Sequence, residues 1–241
     1  MNRLAVVALF GSLLFFQPAG ALAGDADDLA PLLIRLAEED ARRLALHEKA
    51  DFTVAIAIDT LRRGTPHKSS EHRVRFAHEK GKRTREILDA KEEGKDVTAR
   101  EKGKPGDPLQ TSMPIEKGNK TPFGAAVQPK YRFTSLGPDA ADPTRLRIGF
   151  TPVQNDPDLL VGEAVVDPTA GALLKLSSHP SAYAKSIKGF KRLQVDSEYT
   201  PATGGDSALT GVTVDASYAR LFVKTRFRSR ANAFEYAIPV R

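Results

Sequence analysis

Ala50-Asp51-Phe52-Thr53-Val54-Ala55-Ile56-Ala57-Ile58-Asp59 is the stretch on which the fold turns. Phe52, Val54, Ile56 and Ile58 alternate with small or polar residues, so one face is bulky and apolar and the other is not. A period of two is the mark of a strand buried on one side. Immediately upstream the period is different. Leu29, Leu32, Leu33, Leu36, Ala37 and Leu44 recur at helical spacing, and Arg35, Glu38, Glu39, Arg42 and Arg43 fall on other faces of the same turn pattern. The spacing predicts an amphipathic helix over about 28–48, with Asp27 or Asp28 available to cap its first turn.

Downstream the alternation returns at Val74 and Phe76, at Tyr131 and Phe133, and at Leu146, Ile148 and Phe150. It appears again at Leu221 and Val223 with Phe227 in phase, and at Phe234, Tyr236 and Ile238. Leu159–Val166 and Ala172–Leu176 flank Asp167-Pro168-Thr169-Ala170-Gly171 and read as a hairpin. Further turn signals stand at Arg63-Gly64-Thr65-Pro66, Lys80-Gly81, Leu136-Gly137-Pro138 and Gly204-Gly205-Asp206. Short connections without helical pattern between them predict an antiparallel meander. The fold class expected is α+β, mostly β: a curved antiparallel sheet, an unclosed half-barrel, covered by the N-terminal amphipathic helix and in part by Ser181–Phe190. Arg145, Arg147, Arg220, Lys224, Arg226 and Arg228 occupy the alternate positions and are read as the solvated face. Lys91–Gln128, rich in Lys, Glu, Gly and Pro, is expected to be a long polar loop.

Composition narrows the chemistry. The chain has 241 residues, a formal charge of +6 and no cysteine, which excludes thiol catalysis, Cys-ligated zinc and disulfides. Only 7% of residues are aromatic and Trp is absent, unlike the aromatic girdles of a membrane β-barrel. At the N-terminus, Arg3, the apolar run Leu4–Phe16 and Ala21-Leu22-Ala23 have the layout of a secretory signal peptide. The run of about 13 residues is shorter than the ~20 that span a bilayer. Residues 1–23 are therefore expected to be a leader cleaved after about Ala23, with 24–241 as one exported, periplasmic domain without a transmembrane span.

No catalytic motif emerges. His72 and His78 share a strand face but lie roughly 20 Å apart, too far to hold one metal ion, and with His67 they are read as exposed. Gly205-Asp206-Ser207-Ala208-Leu209 has the letters of a serine-hydrolase block, but no histidine follows it; it is read as a turn. The pairs Glu38/Glu39 and Glu92/Glu93 are neighbours in sequence and share no helix face. The cations are not interleaved with aromatics, so nucleic acid is not the expected partner. No enzyme activity, cofactor or metal is expected.

The leader, the long helix and the Ala50–Ile56 opening together resemble the LolA/LolB-like superfamily, exported proteins that include lipoprotein carriers and RseB-type sensors. Thr121-Pro122-Phe123 ahead of Tyr131-Arg132-Phe133, Glu92-Glu93-Gly94-Lys95-Asp96-Val97-Thr98, Arg147-Ile148-Gly149-Phe150-Thr151-Pro152 and the 160–171 hairpin are similar to outer-membrane lipoprotein-sorting proteins. The resemblance implies helices lidding an apolar cavity that accepts acyl chains, without covalent chemistry. The expected ligand is a lipid, a lipoprotein acyl chain or another hydrophobic molecule, held between sheet and helix. Leu33, Leu36, Phe52, Val54, Ile56, Ile58, Phe133, Ile148, Phe150, Leu221 and Val223 are the candidate lining. The alternative is a periplasmic structural or sensor module whose basic face or long loop binds an envelope protein or an anionic polymer.

Overall fold

The computed structural model describes residues 26–63, 65–79, 82–102, 120–182, 190–201, 207–220 and 223–237. The expected leader at 1–23, Gly64, Lys80-Gly81, the 183–189 part of the expected second cover, Gly204-Gly205-Asp206, Leu221 and Ile238 lie outside them. Helix α1 spans Ala26–Lys49. Strands β1 (Asp51–Arg62), β2 (Thr65–Glu79) and β3 (Lys82–Glu92) follow, then the two-residue β4 (Lys95–Asp96) and the short helix α2 (Thr98–Lys102). After residue 120 come β5 (Tyr131–Pro138), β6 (Leu146–Pro152), β7 (Leu160–Asp167), β8 (Ala172–Pro180), β9 (Phe190–Pro201), β10 (Ser207–Arg220) and β11 (Val223–Ala237).

All eleven strands form one antiparallel sheet in the order β4-β3-β2-β1-β11-β10-β9-β8-β7-β6-β5. Sequential neighbours pair except β4 and β5, and β1 pairs with β11, so the meander bends back on itself. It stays open between β4 and β5. That gap falls within the chain segment that the sequence marks as polar and aperiodic, 91–128, where the described residues supply no long strand to bridge the two edges.

The inner face of β1 is the one read from the sequence. Phe52, Val54, Ile56 and Ile58 are buried and alternate with half-buried neighbours. They join Val74 and Phe76 of β2, Ile148 and Phe150 of β6, and Leu29, Leu32 and Leu36 of α1 in a single core. Helix α1 touches β5, β8 and β10. Its N-terminal half is pinned to the β7–β8 hairpin. The Arg35 guanidinium donates to the carbonyl oxygens of Pro168 (2.8 Å) and Thr169 (3.0 Å). Gly171 sits beneath it with φ of 66°, and a Cβ there would come within 2.7 Å of the Arg35 Cβ. Glycine serves both the left-handed turn and the close approach.

Several expectations change. The two predicted strands around Val223 and around Phe234 are one strand, β11. Ala233 has a φ of 52°, and the β1–β11 register shifts between Thr53 and Ala55. The extra residue moves the inward set from Phe227, Ser229 and Ala231 to Phe234 and Tyr236, as a bulge does. β3, β9 and β10 are strands that no clear alternation announces. Ser207 is not in a turn; it opens β10 opposite Pro201 and is buried. His72 is likewise buried, because it shares the inner phase of Val74 and Phe76. His67 is exposed, the His78 side chain lies outside the described set, and no His/Cys/Asp/Glu cluster fit for a metal occurs among the described residues.

The polar stretch 91–128 also contains structure. Glu93 (φ 50°) and Gly94 (φ 75°) turn the chain from β3 into β4. The Thr98 hydroxyl then accepts from the Ala90 N–H at 2.9 Å, tying α2 to the sheet edge. Residues 103–119 lie outside the described residues. At 120–128 the chain forms a strap across the flank of α1.

Candidate functional site

Helix α1 has two flanks that differ from a simple apolar stripe. The flank facing the sheet carries Leu29, Leu32 and Leu36, but also Glu39, Asp40 and Arg43, all buried; Arg43 is 1% exposed. The expectation that Glu39 and Arg43 fall on faces other than the leucine stripe is therefore corrected. They lie on the side facing the sheet because Glu39 and Arg43 follow Leu32 and Leu36 at a spacing of seven. Arg43 Nη2 donates to Asp40 Oδ1 at 2.6 Å, and the guanidinium stands 5.3 Å from the centre of the Tyr199 ring.

Burial sets the protonation of this cluster. It raises the Glu39 carboxyl above its ordinary value, against the opposing pull of Ser207 and the Arg43 charge. It pushes the Tyr199 hydroxyl up to about 12, with Arg43 again opposing. For Arg43 itself burial acts to lower the pKa, but Tyr199, Asp40 and Glu39 together outweigh it and hold the guanidinium above its usual range. A permanent cation thus rests beside one carboxylate and one carboxyl that burial keeps protonated to higher pH. The group is an interior ion pair with a cation–π contact.

The other flank is apolar and open. Ile34 is 61% exposed and Leu44 37%, while Ala37 and Ala41 lie between them on the same side of the helix. Ala37, Ala41 and Leu44 form one wall of a groove of about 480 Å³. The facing wall is the strap, with Thr121, Gly124, Ala125, Ala126 and Val127; Tyr131, Leu159 and Leu160 also line the groove. Lys120 and Asp158 add the charged part of the lining, Nζ to Oδ1 4.0 Å. Asp40 contributes to the lining as well.

The strap is fixed to the helix largely by side chains. Thr121 Oγ1 donates to Asp40 Oδ1 at 2.6 Å, and Gln128 Nε2 donates to the Leu33 carbonyl at 2.8 Å and to that of Phe123 at 3.2 Å. Gly124 lies so close that a Cβ would meet Asp40 Oδ2 at 2.9 Å. Asp40 therefore links the buried cation to the groove wall. Phe123 is 1% exposed. Its ring stacks on Phe133 at 5.6 Å and meets Phe150 edge-on at 6.3 Å. Tyr131 completes this aromatic set, and its hydroxyl accepts from the Leu160 N–H at 2.9 Å.

The residues expected to line a hollow are brought together, but as packing. Leu36, Phe52, Val54, Ile56, Ile58, Ile148 and Phe150 are all buried in the core, and Leu33 and Phe133 are partly buried against it. Val223 opens β11 opposite Arg220, and Leu221 lies outside the described residues. Of the groove residues, Ala37, Leu44 and Tyr131 carry helix or strand periodicity that sequence reading detects. Ala41, Gly124, Ala125 and Ala126 are small and carry no periodic signal, so the sequence does not mark them. The one further cue is Thr121-Pro122-Phe123, an apolar cluster inside a polar stretch.

On the outer face the arginines are paired across strands. Arg228 reaches Asp215 by Nε and Nη2 at 3.2 Å, Arg230 reaches Asp59 at 2.8 Å, and Arg73 reaches Glu235 at 3.2 Å. Arg147 meets Glu163, and Arg145 bonds both Asp142 and Asp167. This face is a ladder of opposite charges more than a uniform basic surface. No helix among the described residues is long and apolar enough to cross a membrane.

No protein-family model matches the chain, and no curated protein matches it. Among solved structures it is similar to a DUF1329 family protein from Desulfovibrio piger ATCC 29098, at 10% identity over 87% of this chain and 95% of that one, with a TM-score of 0.37. It is also similar to MucB in complex with MucA(peri), at 12% identity over 85% and 92% with a TM-score of 0.26. A Pseudomonas aeruginosa MucA/MucB complex matches at 14% identity over 86% and 93%, also with a TM-score of 0.26. Identities and scores this low do not extend the likeness to function.

Proposed function

We propose that the chain is an exported, non-enzymatic binding domain for an acyl chain, carried by a lipid or a lipoprotein, and that the acyl chain lies in the groove between α1 and the 120–127 strap. The observation that carries this reading is the apolar groove itself, about 480 Å³, beside the exposed Leu44. The volume falls in the ~300–1,000 Å³ range of small-ligand sites. Each methylene removed from water there contributes about 0.8 kcal/mol, so roughly eight methylenes give about 6 kcal/mol before the cost of ordering the chain. The leader at 1–23 and the resemblance to the LolA/LolB-like superfamily support export and lipoprotein sorting as the setting.

Binding of an anionic envelope polymer to the outer face is the weaker reading, because the arginines there already hold carboxylates.

The test is organic extraction and mass spectrometry of protein purified from an exporting host, with titration of a dansyl-labelled fatty acid. The expected result is a co-purifying acyl species and saturable probe binding that Ala41→Asp abolishes in a folded protein. A chain that extracts clean and leaves the probe's fluorescence unchanged would sink the proposal.

A further inference from the structure

The space between helix and sheet that the sequence assigns to a ligand is occupied at one end by Phe123, which belongs to neither element. We propose that Phe123 is a built-in plug, and that an acyl chain entering the groove displaces it and takes its seat against Phe133 and Phe150. This rests on the acyl-chain reading of the groove and adds a gating step to it.

Three observations lead to it. First, the seat and the groove share a wall. Tyr131 lines the groove and its ring lies 6.0 Å from Phe133 and 6.1 Å from Phe150, the two rings that hold Phe123. Withdrawing Phe123 would therefore free an apolar seat on the far side of the Tyr131 ring that lines the groove. Second, the strap is weakly anchored in backbone terms. Among the described residues its backbone bonds are local up to Gln128, Val127 and Gln128 N–H to the Gly124 carbonyl; the chain rejoins the sheet only at Lys130, whose carbonyl accepts from the Val153 N–H at 2.8 Å. The hydrogen bonds that tie 121–128 to α1 among the described residues are those of the Thr121 hydroxyl to Asp40 and the Gln128 amide to the Leu33 carbonyl. Segments held this way open locally at less cost than sheet strands. Third, an acyl chain is a chemical match for the plug: it replaces one hydrocarbon by another at the same place, so the core is not left with a void.

The latch can be loosened without deleting a core side chain. Thr121→Val removes the hydroxyl from Asp40, and Gly124→Ala sets a Cβ 2.9 Å from Asp40 Oδ2, crowding the carboxylate that holds the Thr121 hydroxyl. If the open form is the binding-competent one, raising its population raises the apparent affinity in proportion. Losing one hydrogen bond to a carboxylate is expected to tighten dansyl-fatty-acid binding by about tenfold. Hydrogen exchange at the Val127 and Gln128 amides is expected to accelerate when the fatty acid is added to the wild-type chain. Phe123→Ala is expected to bind the probe most tightly if it folds; the two latch variants carry the test if it does not.

Slower exchange at Val127 and Gln128 on adding the fatty acid, with Thr121→Val and Gly124→Ala no tighter than wild type, would show the strap to be a fixed wall and overturn the plug while leaving the groove reading intact. No binding by wild type or by any of the variants would overturn both.

Discussion

The two flanks of α1 depart from a simple division of hydrocarbon inward and charge outward. The flank pressed on the sheet hides Arg43, Asp40 and Glu39, while the flank turned outward shows Ile34, Ala37, Ala41 and Leu44. A helix serving only to cover a core would bury leucines, as Leu29, Leu32 and Leu36 are buried here, without an ion pair beside them. Charges brought out of water are expensive, and their mutual attraction offsets that cost only with good geometry. Here the Asp40 carboxylate and the Tyr199 ring supply it. The apolar flank is lined on its far side by the strap, and it is the flank to which the proposed acyl chain is assigned. The difference separates a flank whose buried ion pair fixes where α1 sits from a flank that borders the groove.

The largest effect should come from breaking the buried flank. Asp40→Ala takes the carboxylate away from a buried guanidinium and also unlatches Thr121. A loss of about 3–5 kcal/mol is expected, which a thermal melt would read as a fall of roughly 10 °C in a chain of this size. If the melting temperature moved by only a degree, Arg43 would not depend on Asp40. Close behind is Gly162→Ala in β7, whose Cβ would fall 2.0 Å from the Ser177 carbonyl oxygen. The β7–β8 pair on which Arg35 rests would have to separate, and expression of folded protein should drop sharply.

On the open flank, Leu44→Ser should do the reverse. Stability should change by no more than about 0.5 kcal/mol, while fatty-acid binding weakens by several-fold or more from lost apolar contact. A destabilised variant that still binds would invert the comparison drawn above.

The pH dependence sharpens it further. Burial raises the Glu39 carboxyl in the folded chain, so between its unfolded and folded pKa values the native state holds more protons than the unfolded state. Stability contributed by this group is complete below the unfolded value and is lost as pH rises through the folded one. Glu39→Gln should therefore be more stable than wild type at neutral pH, and the gap should close on acidification. Tyr199 acts in the same sense at the alkaline end, its contribution fading as pH climbs from 10 towards about 12. Denaturant titrations at several pH values would show both. The smallest effect belongs to the outer ladder: Arg147→Gln, which loses an exposed partner of Glu163, should cost less than about 1 kcal/mol.

Much of the fold is legible in advance because β1, β6 and the β7–β8 hairpin largely keep a period of two. The strands that escape notice are those where the period breaks. β10 carries a register shift between Leu209 and Gly211, so its inward residues run Leu209, Val212, Val214 and Ala216. β9 places Ser197 between Val195 and Tyr199 on the buried face, and β3 offers little more than Ile87 and Ala90. A bulge or an inward serine erases the apolar rhythm without ending the strand. The groove is still less legible, since alanines and a glycine have no hydrophobic signature of their own.

The amino-acid order alone established a leucine-bearing helix followed by an antiparallel meander, because hydrophobic period is a local property set by about 3.6 residues per turn or two per pleat. Which flank of that helix would bury its arginine, which would stay open, and that Phe123 would fill the space beneath it were decided only by tertiary structure. Those outcomes depend on residues far apart in the chain, Arg43 with Tyr199 and Asp40 with Thr121, meeting across a sheet whose curvature no local pattern encodes.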